Sequence, residues 1–293
     1  MHLWVTRIAW LALPAANAGA IGAATDGWAD GPRAVALALL WAGWGAGLVA
    51  LLAPRPTGLT TIRTVAPTFA VLALVAGATG DASTVDAALA ATLTVLCAVL
   101  VAVPALGLAA AAGIAYGEEL RHPLRTPPAL SLVLVPCARA IAVVGAAAGP
   151  LLLADGRVAA GVATAAIGFP ASWFAVRSLH TLSRRWLILV PAGVVILDPM
   201  TLADPVLFVR RSVRSMRAVG GTVPVPDGAL DLRLGASAGT VVITSDGSVD
   251  LMRLAGRRRE GETLRPDQIL VAITAPGRLL DEASRRRVPV ELA

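Results

Sequence analysis

The segment RSLHTLSRRWLILVPAGVVILD, residues 177–198, separates two halves of the chain that differ sharply in composition. Upstream, alanine, leucine, valine and glycine dominate and charges are few, whereas downstream the chain becomes short β-prone runs with frequent arginine. Of the 293 residues, 56% are hydrophobic and 15% are charged. Soluble domains carry about 25% charged residues. The segment therefore predicts the exit of a multi-pass membrane region directly into a soluble β-domain.

Six apolar stretches upstream are long enough, or nearly so, for the ~20 residues that a helix needs to cross a bilayer. They lie near residues 3–24, 34–53, 60–79, 84–106, 128–153 and 157–176. We therefore predict a bundle of about six transmembrane helices over residues 1–180.

The first apolar stretch has two interpretations. Arg7 precedes an apolar run that reaches Ala16-Asn17-Ala18, and a signal peptide cleaved after residue 18 has the same pattern. A retained membrane helix is the alternative, because Trp4 and Trp10 suit a membrane interface.

Arginine is distributed unevenly among the loops between these stretches. Loops near 25–33, 80–86 and 154–157 have two cations between them, Arg33 and Arg157. The loops near 54–63 and 118–125 have four, namely Arg55, Arg63, Arg121 and Arg125. Cytoplasmic loops carry the excess of arginine and lysine. We therefore expect an inner-membrane protein with both termini and the β-domain in the cytoplasm.

Arg139 lies near the middle of the fifth predicted span, three residues after Pro136. A charge at mid-bilayer is costly and by default indicates a polar cavity or an ion pair. If the membrane helix instead begins at Pro136, Arg139 lies one turn in and its side chain extends to the cytoplasmic interface. Both interpretations stay open, and Arg139 is the candidate intramembrane polar site.

The chain beyond Arg184 changes to the two-residue period of strands. Trp186–Val190 and Gly193–Asp198 form a hairpin pattern around Pro191-Ala192, further strand-like runs follow, and residues 276–287 form an amphipathic helical pattern. About seven short antiparallel strands and one C-terminal helix, over residues 184–293, resemble a pleckstrin-homology-like barrel.

The stretch RRWLILVPAGVVILDPMTLADPVLF, residues 184–208, is the part that most resembles uncharacterised actinobacterial multi-spanning membrane proteins with such a C-terminal domain. The resemblance implies an architecture and no activity. Phosphoinositide-binding members of the pleckstrin-homology group use basic residues in the first hairpin loop, but Pro191-Ala192-Gly193 has none. We expect Arg184 and Arg185 to be the positive flank of the membrane exit.

Two arginine clusters are the candidate docking residues of the β-domain. They are Arg257, Arg258 and Arg259, and Arg285, Arg286 and Arg287. One interpretation is that these arginines are solvent-exposed residues of a loop and of a helix end. The other is that they dock on anionic lipid or on an acidic protein. Nucleic acid is not an expected partner, because no aromatic stacking platform accompanies the charge.

The sequence shows no convincing catalytic, cofactor or metal motif. The G-x-S-x-G match at residues 235–239 lies between two predicted strands, whereas a nucleophile elbow needs a strand-to-helix turn. Cys97 and Cys137 lie within apolar spans with no neighbouring Cys or His.

We therefore expect a non-enzymatic scaffold or regulator without cofactors, which anchors the β-domain among membrane lipids and recruits a protein partner. One alternative is a transporter or binding bundle for a lipid or small apolar solute, with Arg139 in its cavity. A second is an enzyme acting through Glu118, Glu119 and His122. The sequence leaves homo-oligomerisation open.

Overall fold

The computed structural model describes residues 2–221, 223–247, 249–255 and 260–291. The candidate cluster Arg257–Arg259 therefore lies outside the described residues. The chain forms two compact units. The helical unit comprises Met1–Gly113 and Val135–His180, and the β-unit comprises Ile114–Leu134 and Thr181–Ala293. Residues 114–134, expected in the membrane half, belong to the β-unit because they contribute a strand to its sheet.

The helical unit is built from α-helices that follow one another through short connections. Their bounds are α1 His2–Ala24, α2 Asp30–Leu52, α3 Pro56–Thr79, α4 Thr84–Ala102, α5 Pro104–Ala112, α6 Val135–Ala154 and α7 Val158–Ser183. A π-helical turn, Leu130–Leu134, leads into α6. Proline at the first helical position begins α3 and α5, and the Ser83 side chain accepts a hydrogen bond from the Asp86 amide at the start of α4.

Within the described residues, five helical segments are long and apolar enough to cross a membrane. They are α2, α3, α4, Leu130–Ala154 and α7. The expected number of about six is corrected at the first span, residues 3–24, which forms α1 but is not among the five. The polar side chains of His2, Thr6, Arg7 and Asn17 lie within α1 and lower its hydropathy.

Although α1 is not among the five membrane-length apolar segments, it packs into the core of the helical unit. Trp10 is fully buried, and its indole N–H donates to the carbonyl of Trp44 at 3.0 Å. The indole N–H of Trp44 donates in turn to the carbonyl of Trp10 at 3.0 Å. Cleavage after residue 18 would remove this reciprocal pair, so the packing favours the retained helix.

Three glycines of the helical unit, Gly47, Gly145 and Gly149, lie at close contacts between helices. A Cβ at Gly145 would come within 2.6 Å of the Gly168 carbonyl oxygen, and one at Gly149 within 2.8 Å of Ala165. A Cβ at Gly47 would collide with Trp10. Small residues allow helix backbones to approach closely, and here they do so between helices of one chain.

The contribution of α1 can be tested at Trp10. We expect Trp10→Ala to lower stability by about 3–5 kcal/mol, because it removes a fully buried indole and its hydrogen bond. Thermal unfolding of the detergent-purified protein measures the loss. Trp173→Ala is the matched control, since Trp173 is 66% exposed. Equal melting temperatures for the two variants would contradict the packing of α1.

The β-unit contains eleven strands among its described residues. Their bounds are β1 Leu120–Pro123, β2 Trp186–Val190, β3 Gly193–Leu197, β4 Val206–Val209, β5 Val213–Ala218, β6 Leu230–Asp231, β7 Thr240–Ser245, β8 Leu251–Ala255, β9 Glu260–Leu264, β10 Gln268–Ala272 and β11 Val290–Glu291. They form an antiparallel sheet β1-β2-β3-β4, a mixed sheet β11-β5-β7-β10-β6 and a ribbon β8-β9.

The segment after β1 links the two larger sheets. Leu124 forms an antiparallel bridge with Ile273 just beyond β10, and the amide of Arg125 donates to the Ala272 carbonyl at 2.8 Å. Helix α8, Pro276–Arg285, buries Leu279, Leu280 and Ala283 in the same core. The mainly-β domain with a C-terminal helix is thus confirmed.

The strand pattern differs from the expected seven antiparallel strands. β1 comes from residues 114–134, outside the predicted 184–293 range, and two pairs are parallel, β10 with β6 and β11 with β5. Both parallel pairs involve two-residue strands, which are too short to give a periodic signal in the sequence.

Candidate functional site

Among the described residues, four groups of charged side chains are considered as candidate sites: a buried ion pair, a buried histidine, an arginine surface on the β-unit and arginines within the helical unit. The buried pair joins Arg185 to Asp198. Arg185 is 2% exposed, its Nε donates to Asp198 Oδ1 at 2.8 Å and its Nη2 donates to Oδ2 at 2.6 Å. The expectation that Arg185 is a membrane flank is therefore wrong, whereas Arg184 beside it is exposed.

The remaining donors of Arg185 bind two other segments of the β-unit. Nη1 donates to the carbonyl of Arg125 at 3.0 Å, and Nη2 also donates to the carbonyl of Leu232 at 3.2 Å. Asp198 Oδ1 accepts from the amide of Met200 as well. A buried charge pair is tolerated when such bonds satisfy its other donors and acceptors, so this pair is structural.

The Arg185–Asp198 pair predicts a strong non-additivity. Asp198→Leu leaves a buried guanidinium without its carboxylate and should cost about 3–5 kcal/mol. The double variant Arg185→Met with Asp198→Leu should recover much of that loss, and a double-mutant cycle by thermal unfolding measures it. Asp250→Leu, which breaks the exposed pair with Arg265, should change the melting temperature little. Additive single losses would contradict the coupling.

The second group surrounds His122 on β1. His122 is 1% exposed, and its Nε2 lies 2.9 Å from Oε2 of Glu282 on α8, at angles outside hydrogen-bond geometry. Arg278 donates to the other oxygen of Glu282 at 2.7 Å. Burial lowers the pKa of His122, the charge of Glu282 opposes this shift, and Arg278 adds to it.

Glu119 and His122, two residues of the alternative enzyme site, have different partners in the structure. Arg121 and His122 are successive residues of β1, so their side chains point to opposite faces of the sheet. Arg121 donates to Glu119 at 2.8 Å, and this bond lowers the pKa of Glu119. Glu119 therefore pairs locally with Arg121, while His122 contacts α8. In the described part of the chain, no group of three or more His, Cys, Asp or Glu residues could hold a metal.

The lowered pKa of His122 predicts a pH dependence of stability. Between that pKa and the ordinary histidine value of about 6.5, the unfolded chain binds more protons than the folded one. Stability should therefore fall as the pH decreases below about 6.5. Melting temperatures from pH 7.5 to 5.5 should fall less steeply for His122→Gln than for the wild type. Asp281→Asn changes an exposed side chain on α8, the helix that carries Glu282, and should keep the wild-type slope. Equal slopes in the wild type and in both variants would refute the prediction.

The third group is an arginine surface, which we define as Arg210, Arg211, Arg285, Arg286 and Arg287. Arg210 and Arg211 lie in a 3₁₀ turn, Arg210–Ser212, and the others end α8. The two segments meet where Arg210 Nη1 donates to the Arg286 carbonyl at 3.4 Å. The side chain of Arg286 also donates to the carbonyls of Leu189 and Glu118, so it fastens α8 to β1 and β2.

Arg287 adopts an unusual backbone conformation on this surface. Its φ is +59°, in the left-handed region, and the following Val288 amide donates to the Ala283 carbonyl. Helices commonly end with a left-handed residue, which is usually glycine. A non-glycine residue there costs roughly 1–2 kcal/mol. Arg287 is exposed, so no burial of its side chain offsets that cost.

The fourth group consists of arginines in the helical unit, of which Arg33, Arg63, Arg139 and Arg177 lie within the bounds of the membrane-length segments. The guanidinium of Arg7 donates to the carbonyl of Leu51, and Nε of Arg63 donates to the carbonyl of Val101 at 3.2 Å. Both carbonyls belong to helix ends, which lack partners within the helix. Arg139 has no hydrogen bond to any described residue, and its Nε is buried.

Sequence reasoning placed Arg63 in a loop, because the third span was expected to begin near residue 60. In the structure α3 begins at Pro56, so Arg63 is the eighth residue of the helix. Pro56 was the sequence feature that could have predicted this start, because proline is favoured at the first position of a helix. Arg185 also had a signal, since a two-residue hairpin turn after Val190 places residue 185 opposite Asp198.

Comparison of the chain with protein-family models, with curated proteins and with solved structures finds no match.

Proposed function

We propose that this is an integral membrane protein that anchors its β-unit at the inner face of the membrane, where the arginine surface recruits an acidic protein partner. The anchoring is supported by five membrane-length apolar helices and by a β-unit with its own hydrophobic core. The chain passes between the two units at three points, near residues 113, 134 and 180. The β-unit is thereby tied to the membrane region by three connections rather than one.

The distribution of charge in the helical unit supports a cytoplasmic location of both termini. Arg7 and Arg63 bind carbonyls at the ends of α2 and α4. All five carboxylates of the helical unit lie at the opposite helix ends, at Asp26, Asp30, Asp81, Asp86 and Asp155. The positive-inside rule assigns the arginine end to the cytoplasm, and the β-unit follows α7 at that end of the helix.

The observation that carries the recruitment proposal is the fixed geometry of the arginine surface. Arg210 donates to two carbonyls, of Pro191 and Arg286, and Arg286 donates to two others. A guanidinium held in place suits bidentate recognition of a carboxylate. Diffuse attraction to anionic lipid depends on charge and needs no such fixation. A pleckstrin-homology-like role as a protein-docking module fits this arrangement, with α8 as its C-terminal helix.

The proposal is tested with the full-length protein, because a deletion from residue 184 would remove β2 and leave β1 unpaired. Tagged protein is extracted gently, and its bound proteins are identified by mass spectrometry. A partner that binds through the arginine surface should be lost from Arg211→Gln with Arg285→Gln. It should be retained by Arg184→Gln with Arg265→Gln, which removes the same charge from exposed positions elsewhere.

Two outcomes of this experiment would contradict recruitment of a protein. One is equal retention of the partner by both double variants. The other is binding only to vesicles that contain phosphatidylglycerol, weakened alike by both double variants, which would indicate non-specific attraction to anionic lipid.

Arg287 allows folding and docking to be separated. We expect Arg287→Gly to raise stability by about 1 kcal/mol, because glycine adopts the left-handed conformation without strain. The same change should weaken capture of the partner, since it removes a cation of the docking surface. Thermal unfolding and partner capture measure the two effects. Arg287→Asn, which tolerates this backbone but lacks the charge, should behave in the same direction, and undiminished capture by both would exclude Arg287 from the docking surface.

A second candidate function is binding or transport of a lipid or small solute by the helical unit. The buried, unpartnered Nε of Arg139 favours it. The chemistry of that residue and its neighbour Arg63 also defines what the ligand would contain.

A further inference from the structure

Arg63 and Arg139 lie at similar depths in neighbouring helices. Arg63 is the eighth residue of α3, about 10 Å from the start of the helix at 1.5 Å per residue. Arg139 is the tenth residue of the Leu130–Ala154 span, about 13 Å from its start. Helices α3 and α6 pack against each other, so each brings one arginine to the same end of the helical unit. Two cations thus share one region of an apolar bundle.

Neither guanidinium has its donors satisfied by the helical unit. Arg63 uses Nε for the Val101 carbonyl, which leaves both Nη groups without a bond to a described residue. Arg139 is bonded to none, and its Nε is shielded from solvent. Beside Arg63, Gly107 lies so that an added Cβ would be 3.5 Å from Nη2.

The helical unit also provides no anion to compensate these charges. Its five carboxylates, Asp26, Asp30, Asp81, Asp86 and Asp155, all lie in or next to the connections at the other helix ends. Charges within a membrane are paired or face a polar cavity by default, because their desolvation is costly. An anion that pairs with these charges would therefore come from outside the helical unit.

We propose that Arg63 and Arg139 form a binding site for a phosphate group within the helical unit. Two guanidinium groups present paired N–H donors that match phosphate oxygens bidentately, and together they balance up to two negative charges. The phosphate belongs either to the headgroup of an anionic lipid or to a free phosphate ion. The site is independent of the arginine surface and does not rest on the proposed recruitment of a protein.

The site is tested by ligand-induced stabilisation of the detergent-purified full-length protein. The probes are phosphatidylglycerol, inorganic phosphate and diacylglycerol, which lacks the phosphate. For the wild type, phosphatidylglycerol, inorganic phosphate or both should raise the melting temperature, and diacylglycerol should not. Arg139→Leu should weaken the effective ligand at least tenfold. Arg157→Leu, which removes an exposed cation at the other helix ends, should bind as the wild type does.

The source of the phosphate follows from competition. If inorganic phosphate displaces phosphatidylglycerol or stabilises the protein by itself, the site takes the free ion. If phosphatidylglycerol binds equally well in the presence of inorganic phosphate, the site takes the lipid headgroup.

Without ligand, Arg139→Leu should melt no lower than the wild type, since it removes an uncompensated charge. Arg139→Lys should retain only part of the binding, because an ammonium group lacks the paired N–H donors of a guanidinium. The proposal is overturned if neither phosphate probe stabilises the wild type, if diacylglycerol does so equally, or if Arg139→Leu binds unchanged.

Discussion

Arg185 and Asp198 meet out of contact with water, and three separate parts of the β-unit are fastened to this pair. Asp198 closes the β2–β3 hairpin, the Arg125 carbonyl belongs to the segment that follows β1, and the Leu232 carbonyl follows β6. Breaking such a pair leaves a charge that nothing else in the interior can neutralise. The pair therefore couples the formation of the hairpin to the docking of residues 114–134, which interrupt the helical unit in sequence.

This coupling explains why the sequence predicted the hairpin but not the full β-unit. Trp186–Val190 and Gly193–Leu197 are uninterrupted apolar runs around a tight turn, and both form strands as expected. β1 is four residues long and contains an arginine and a histidine, so no local period predicts a strand there. It exists because β2, more than 60 residues later, provides its hydrogen bonds. Pairing between strands so far apart in the chain cannot be predicted from a short window of sequence.

The helical unit shows a similar limit of local reasoning. Hydropathy predicted the five membrane-length helices well, because each is apolar along its whole length. It could not predict that α1, which is not among the five, is fixed through the reciprocal bonds of Trp10 and Trp44. The candidate site was predicted only in part. Arg139 was recognised from its depth in an apolar run. Arg63 was assigned to a loop, whereas it lies two turns into α3.

The satisfaction of hydrogen-bond donors distinguishes the roles of these arginines better than burial does. Arg185 is the most buried, yet its bonds to a carboxylate and two carbonyls account for it within the fold. Arg7 binds a helix-end carbonyl that would otherwise lack a partner. Arg139 is less buried than Arg185, but its shielded Nε binds no described group. An unpaired charge in an apolar bundle is costly, so Arg139, unlike Arg185, is the arginine to which we assign a ligand.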